Sequence, residues 1–379
     1  MALEPLAATS EQFVRSAVAA GMRATDALAA YRRVFREGRA DDPRIALPEP
    51  AITARHDEGR TAKFTLRCAD GLETESVLIP MPHGEAWSYT LCLSSQVGCA
   101  MGCTFCETAQ MGLLRSLACA EIVAQWFAAR HRIGLAPNNI VFMGMGEPMD
   151  NLDSVLAAIE VLCDPNGAAM APSRIAVSTV GHLAGIARFG EFVSRPGFRR
   201  VNLAVSVNAP NDAIRSSIMP INRGAPMKLL REALLRFPMR RGGAFLVEYV
   251  LIPGVNDAPE HCDELCAWLR PLRCSLNVIP YNPRRDSPWR APEESEISAF
   301  VERALANGQF VKRRVTRGRT VMGACGQLGN PSIRRRRFLA SAPDGRPDRA
   351  AVQEQRGDGA AAFAAPMHRA AVTVEGRPT

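Results

Sequence analysis

Residues 90–106 read TLCLSSQVGCAMGCTFC. Thr90–Ser94 is a short β-prone run, and the loop after it holds Cys99, Cys103 and Cys106 in a C-x3-C-x2-C spacing. Three thiolates on one short loop suit three irons of a [4Fe–4S] cluster and leave the fourth iron open to another ligand. A structural zinc site closes its shell with four protein ligands, and the next cysteine, Cys119, falls inside an expected helix. Chance clustering of buried thiols is the other reading.

Outward from this stretch the chain alternates. Strands are expected at Thr90–Ser94, Asn139–Met143, Ile175–Thr179, Asn202–Ser206, Phe245–Leu251 and Leu276–Ile279, with helices starting near Cys119, Leu152, Leu183, Met227, Pro259 and Glu293. A last strand near Val311–Val315 closes the series, and a β-rich lead-in at Lys63–Cys68 and Glu75–Ile79 precedes it. Such alternation predicts an α/β fold with parallel pairing and right-handed crossovers. Six units fall short of a closed eightfold barrel, so the expectation is a partial (βα)6 barrel. Chemistry then gathers at the C-terminal ends of the strands, where the three cysteines stand.

Three regions follow: 1–50, a small N-terminal helical region with Thr9 and Gln12 as a capping box; 51–330, the barrel with its lead-in; and 331–379, a basic tail. The tail is poor in large apolar residues and is expected to be disordered. The 379-residue chain carries a net charge of +8, and past Asn330 nine Arg face five acids. That balance fits a polyanionic partner or a solvated surface equally well. No apolar run reaches membrane-spanning length and no secretory leader is visible. Eleven cysteines without one point to a reducing, cytoplasmic setting.

The three-cysteine loop resembles that of the radical S-adenosylmethionine (SAM) superfamily, whose members have a partial barrel. Longer blocks narrow the likeness. TLCLSSQVGCAMGCTFC, VFMGMGEPMDN, LAVSVNAPNDAIRSSIMPIN, VEYVLIPGVND, NVIPYNP and ACGQL, in this order from about Glu75 to Leu328, resemble the RlmN/Cfr family of RNA adenine methyltransferases. The resemblance implies a [4Fe–4S] cluster on Cys99, Cys103 and Cys106, and two SAM molecules per turnover. It implies SAM contacts from Gly146, Glu147, Ser178, Ser206, Val207, Asn208 and Asn282. Asn208 stands where the family usually has His.

By the same resemblance, Cys325 is methylated by a first SAM and carries the methyl group. Cys92 resolves the RNA adduct by forming a disulfide with Cys325, and Glu75 accepts the ring proton. The chemistry has a reason: an adenine ring carbon is too weak a nucleophile to attack a sulfonium methyl, whereas a carbon radical can add to it. The implied target is carbon 2 of a 23S ribosomal RNA adenine, with transfer RNA as a further candidate substrate. The implied partners are RNA and an electron donor such as flavodoxin or ferredoxin, with the enzyme a monomer and no membrane involved. The alternatives are carbon 8 methylation, a divergent radical enzyme acting on another substrate, and an RNA-binding protein with a structural metal site. A binding module needs none of Cys92, Cys325 and Glu75.

Overall fold

The chain opens with α1 (Ser10–Ala19) and α2 (Ala24–Glu37). The computed structural model describes residues 2–47, 51–84 and 86–329; the tail, with its expected disorder, lies outside them. Thr9 and Gln12 form the capping box at the start of α1, worth about 1 kcal/mol. Phe13, Tyr31 and Phe35 are buried. Their rings run as a chain from α1 through α2 to Trp126, with centroids 5.4, 4.8 and 6.0 Å apart. The N-terminal aromatics are thus part of the hydrophobic core.

Four strands follow, β1 (Ala51–Glu58), β2 (Thr61–Arg67), β3 (Glu73–His83) and β4 (Ala86–Cys92), each antiparallel to the next. After β4 come the cysteine loop and its frame: β5 (Gln96–Gly98), α3 (Glu107–Met111) and β6 (Leu113–Ser116). The alternating part then runs α4 (Cys119–His131), β7 (Asn139–Phe142), α5 (Leu152–Cys163), β8 (Ile175–Thr179), α6 (Leu183–Ser194), β9 (Asn202–Ser206), α7 (Asp212–Ile218) and α8 (Met227–Arg236). It ends with β10 (Phe245–Leu251), α9 (Pro259–Leu269), β11 (Cys274–Pro280), α10 (Glu294–Ala306) and β12 (Val311–Arg313).

From β4 the sheet continues in sequence order through β7, β8, β9, β10, β11 and β12, and every pair in this stretch is parallel. This is the expected α/β partial barrel. The lead-in strands are not a separate piece; they extend the same ten-stranded sheet. The closing strand stops at Arg313, short of the expected Val315.

Strand alternation divides the two faces. In β9, Leu203 and Val205 join the helix-facing core; so do Val247, Tyr249 and Leu251 of β10, and Leu276 and Val278 of β11. Ser206, Glu248 and Asn277 therefore take the opposite, inner face. Tyr249 stacks on Phe300 of α10 at 5.3 Å, which fixes that assignment. Ser206 ends β9, while Glu248 and Asn277 sit midway along β10 and β11, where they bond each other at 2.8 Å.

Candidate active site

The cysteine loop is held by three backbone bonds and one side-chain bond. Cys99 N–H donates to the Gly112 carbonyl (3.1 Å), Thr104 N–H to Ile218 (3.0 Å) and Glu107 N–H to Gly326 (2.7 Å). The Arg284 guanidinium donates to the Thr104 carbonyl at 2.8 Å. β5 and β6 pair across the loop's base. The loop then buries Cys99 and Cys103 in an apolar nest with Met101, Phe105, Ile218, Met219 and Tyr281, and Cys106 packs against it.

Burial raises all three thiols, and each of Cys99 and Cys103 is raised further by charge on Cys106. Protonated thiols are poor ligands, so only a cation would draw such a set into the thiolate form. Among the described residues no three His, Cys, Asp or Glu side chains close on a single metal ion. Three thiols with no fourth ligand in the loop suit a cluster that takes one thiolate per iron, whereas a structural zinc site closes its shell with four protein ligands.

Glu147 lies one turn past β7. Its carboxylate accepts from Met149 N–H (3.1 Å) and Val180 N–H (3.0 Å), while its own N–H donates to Gln96 at 2.9 Å. Burial still pushes the carboxyl up to about 7. Gly146 has φ +97° and a Cβ there would lie 2.6 Å from the Gln96 side chain, so glycine is required for this approach.

Ser178 and Ser206 stand at the ends of β8 and β9, and Asn282 follows β11. Asn282 is buried, and its side-chain oxygen has no hydrogen-bond partner among the described residues. A buried orphan acceptor awaits a donor, such as an adenine or amino N–H of a bound cofactor. Asn208 is otherwise engaged: at φ +55° its Oδ1 accepts from Val250 N–H (2.9 Å) and its Nδ2 faces the Met219 sulfur (3.4 Å).

Sequence reading missed Arg215. This fully buried cation has no carboxylate partner among the described residues. It donates to the carbonyls of Val180 (2.6 Å), Ser206 (3.2 Å) and Val207 (3.0 Å) and to Asn222 (2.9 Å). Burial lowers it to about 10. It ties together the ends of β8 and β9. A charged residue in an α7 of seven residues, three positions after Asp212, reads as half of a surface ion pair, and no signal in the sequence says otherwise.

Glu75 and Cys325 stand beside the cysteine loop, whose Glu107 N–H donates to the Gly326 carbonyl at 2.7 Å. Glu75 is buried, 3.0 Å from Lys63 Nζ, and accepts from Gly329 N–H at 2.8 Å. Cys325 is exposed to solvent although protein atoms crowd its sulfur. That crowding, then the nearby Glu248, pushes its thiol up to about 12. Cys92, at the inner end of β4, is likewise raised to about 12, first by burial and then by the charge of Cys325. Both are free thiols here, near enough to feel each other. Cys92 packs with Val77, Met145 and Leu328. Cys262 and Cys266, by contrast, belong to the helix-facing core.

The chain matches the Radical SAM superfamily over residues 93–266. It is 44% identical over 287 residues to a protein of Protochlamydia amoebophila named probable dual-specificity RNA methyltransferase RlmN 1, covering 76% of this chain and 78% of that one. A dual-specificity RNA methyltransferase RlmN of Syntrophus aciditrophicus is 36% identical over 326 residues, 86% of this chain and 90% of that one. The chain belongs to the RlmN family. A crystal structure of a radical SAM methyltransferase from Sphaerobacter thermophilus matches with a TM-score of 0.78 at 35% identity, covering 86% of this chain and 99% of that one. As an RlmN-family radical SAM methyltransferase, the protein is of a class that binds a [4Fe–4S] cluster and SAM. Among the described residues no helix is long and apolar enough to cross a membrane.

Proposed function

We propose that this protein methylates carbon 2 of an RNA adenine, in 23S ribosomal RNA and in transfer RNA, through a methylated Cys325. The observation that carries this is that Glu75 and Cys92 both meet the segment that carries Cys325, Glu75 through Gly329 N–H and Cys92 by packing with Leu328. Cys99, Cys103 and Cys106 would hold the cluster. Glu147 would meet the amino group of SAM, and Ser178, Ser206, Val207 and Asn282 its remaining polar groups. At Asn208 the side chain is spent on Val250, which leaves the backbone for any cofactor contact.

When bound, cluster and SAM together supply a 5′-deoxyadenosyl radical for hydrogen abstraction. Cys325 presents a methyl group as the carbon to be joined to the base, after accepting it from a first SAM. Glu75 takes the ring proton, for which it needs only hydrogen-bond reach. Cys92, as thiolate, then attacks the Cys325 sulfur, so that a disulfide forms, the carbon–sulfur bond breaks, and the departing methylene carbon takes the electron pair and a proton to become the methyl group on the base. The dual-specificity names of the relatives support more than one kind of RNA substrate. An external donor such as flavodoxin or ferredoxin supplies electrons, and the enzyme works as a cytoplasmic monomer. The test is incubation of reconstituted enzyme with labelled SAM and each RNA, followed by mapping of the methylated base. Label at carbon 2 of an adenine is expected; label at carbon 8, or none in RNA, would overturn the assignment.

A further inference from the structure

Lys63 lies on the inner face of β2, with a side chain only 6% exposed. Its ammonium is 3.0 Å from Glu75 Oε1 and donates to the Met322 carbonyl at 3.1 Å. The second Glu75 oxygen accepts from Gly329 N–H at 2.8 Å. Cys325 stands between Met322 and Gly329. One buried ion pair therefore grips the segment that carries Cys325 at both of its ends.

Stability does not require this arrangement, because a buried ion pair recovers little more than its own desolvation and apolar replacements are often tolerated. Other contacts already fix the segment. Glu58 accepts from Gly318 N–H (2.8 Å) and Thr320 N–H (2.7 Å), Thr108 donates to the Leu328 carbonyl (2.5 Å) and Gln327 to that of Pro283 (3.0 Å). What Lys63 alone supplies is a fixed cation on the carboxylate. It sets the orientation of Glu75 relative to Cys325, while Gly329 N–H occupies the other oxygen.

We infer that Lys63 is a positioning residue for Glu75, holding its carboxylate aligned with the carbon borne by Cys325. This rests on the proposed role of Glu75 as proton acceptor. Lys63 touches no substrate and acts only through Glu75 and the Met322 carbonyl.

The test compares Lys63→Met, Lys63→Arg, Glu75→Gln and the double variant Lys63→Met/Glu75→Gln in full-length enzyme. Iron content, methylation of Cys325 by mass spectrometry, protein–RNA crosslink on denaturing gels and turnover are read in parallel. Lys63→Met is expected to keep the cluster and the Cys325 methyl group. It should lose about a hundredfold in turnover and accumulate the crosslink, as is expected of Glu75→Gln. Lys63→Arg should recover most of the turnover without a crosslink. The double variant should be no worse than Glu75→Gln. Wild-type turnover in Lys63→Met, losses that multiply in the double variant, or loss of the Cys325 methyl group with no crosslink would each overturn the inference. Should Lys63→Met fail to take up iron because Glu75 is left as an unpaired buried charge, the uncharged double variant and Lys63→Arg still decide it. If Glu75→Gln turns over normally, the proton-acceptor reading fails first and this inference with it.

Discussion

The carboxylate of Glu75 accepts a hydrogen bond from the backbone N–H of Gly329 at 2.8 Å. Two residues far apart in the chain thus meet at the segment that carries Cys325. The antiparallel lead-in is therefore part of the active-site wall, because β3 carries Glu75 alongside the inner end of β4, where Cys92 sits. Chemistry assigned to the barrel rim depends on strands outside the barrel proper.

Each of Cys99→Ala, Cys103→Ala and Cys106→Ala should abolish the cluster, since each removes one of three iron ligands. Cys119→Ala and Cys266→Ala should leave it intact. Iron and sulfide analysis with visible absorption of anaerobically purified protein checks this. Stoichiometric zinc with no iron in the wild type would contradict it.

Gly98→Ala should remove the cluster without touching a ligand. Gly98 has φ +79°, and an added Cβ would lie 1.9 Å from the Gly112 carbonyl oxygen. The β5–β6 pairing that frames the cysteine loop cannot absorb that overlap. Iron content should fall well below wild type while the far-UV circular dichroism of the barrel stays unchanged.

SAM binding should strengthen as pH rises from 6 to 8. Glu147 titrates near 7 because burial favours its neutral form, and the cofactor's ammonium favours the carboxylate. Binding therefore releases a proton below this pH, and affinity falls by at most about tenfold per pH unit there. Without ligand the sign reverses. The folded-state value lies above the unfolded one, so stability from this group is full at low pH and is lost as pH rises through about 7. Calorimetry in two buffers of different ionisation enthalpy measures the proton, and Glu147→Gln should flatten both trends.

Arg215→Met should destabilise the protein by on the order of 3 kcal/mol and weaken SAM binding, because buried carbonyls at the ends of β8 and β9 lose their donor. Arg215→Lys should not restore it, since one ammonium cannot span the Val180, Ser206 and Val207 carbonyls that the guanidinium reaches. Denaturant unfolding and cofactor titration read the two effects separately.

The alternating strands were legible because runs such as Ile175–Thr179 and Phe245–Leu251 are apolar over the length of a strand and are followed by long helical stretches. The capping box of Thr9 and Gln12 could be read directly from residue identity. The β5–β6 pairing was not legible: strands of three and four residues hold too few positions for a period to show. β1 was missed because AITARHDE is mostly polar and largely exposed at the sheet edge. For the site, spacing marked Cys99, Cys103 and Cys106, and the family resemblance marked Cys92, Cys325 and Glu147. Neither marked Lys63 or Arg215, whose burial depends on partners distant in sequence, on Met322 and Glu75 in one case and on Val180 in the other.

The account turns on the division of labour between Cys92 and Cys325, and one assay measures it. Cys92→Ala and Cys325→Ala enzymes are expressed in cells, and denaturing gels with mass spectrometry look for protein bound to RNA. Cys92→Ala retains the methyl carrier and lacks the resolving thiol, so it should accumulate an RNA crosslink through Cys325. Cys325→Ala should show neither crosslink nor methylated RNA, and both variants should hold the cluster. Methylation at the wild-type rate by Cys92→Ala, with nothing trapped, would contradict the account.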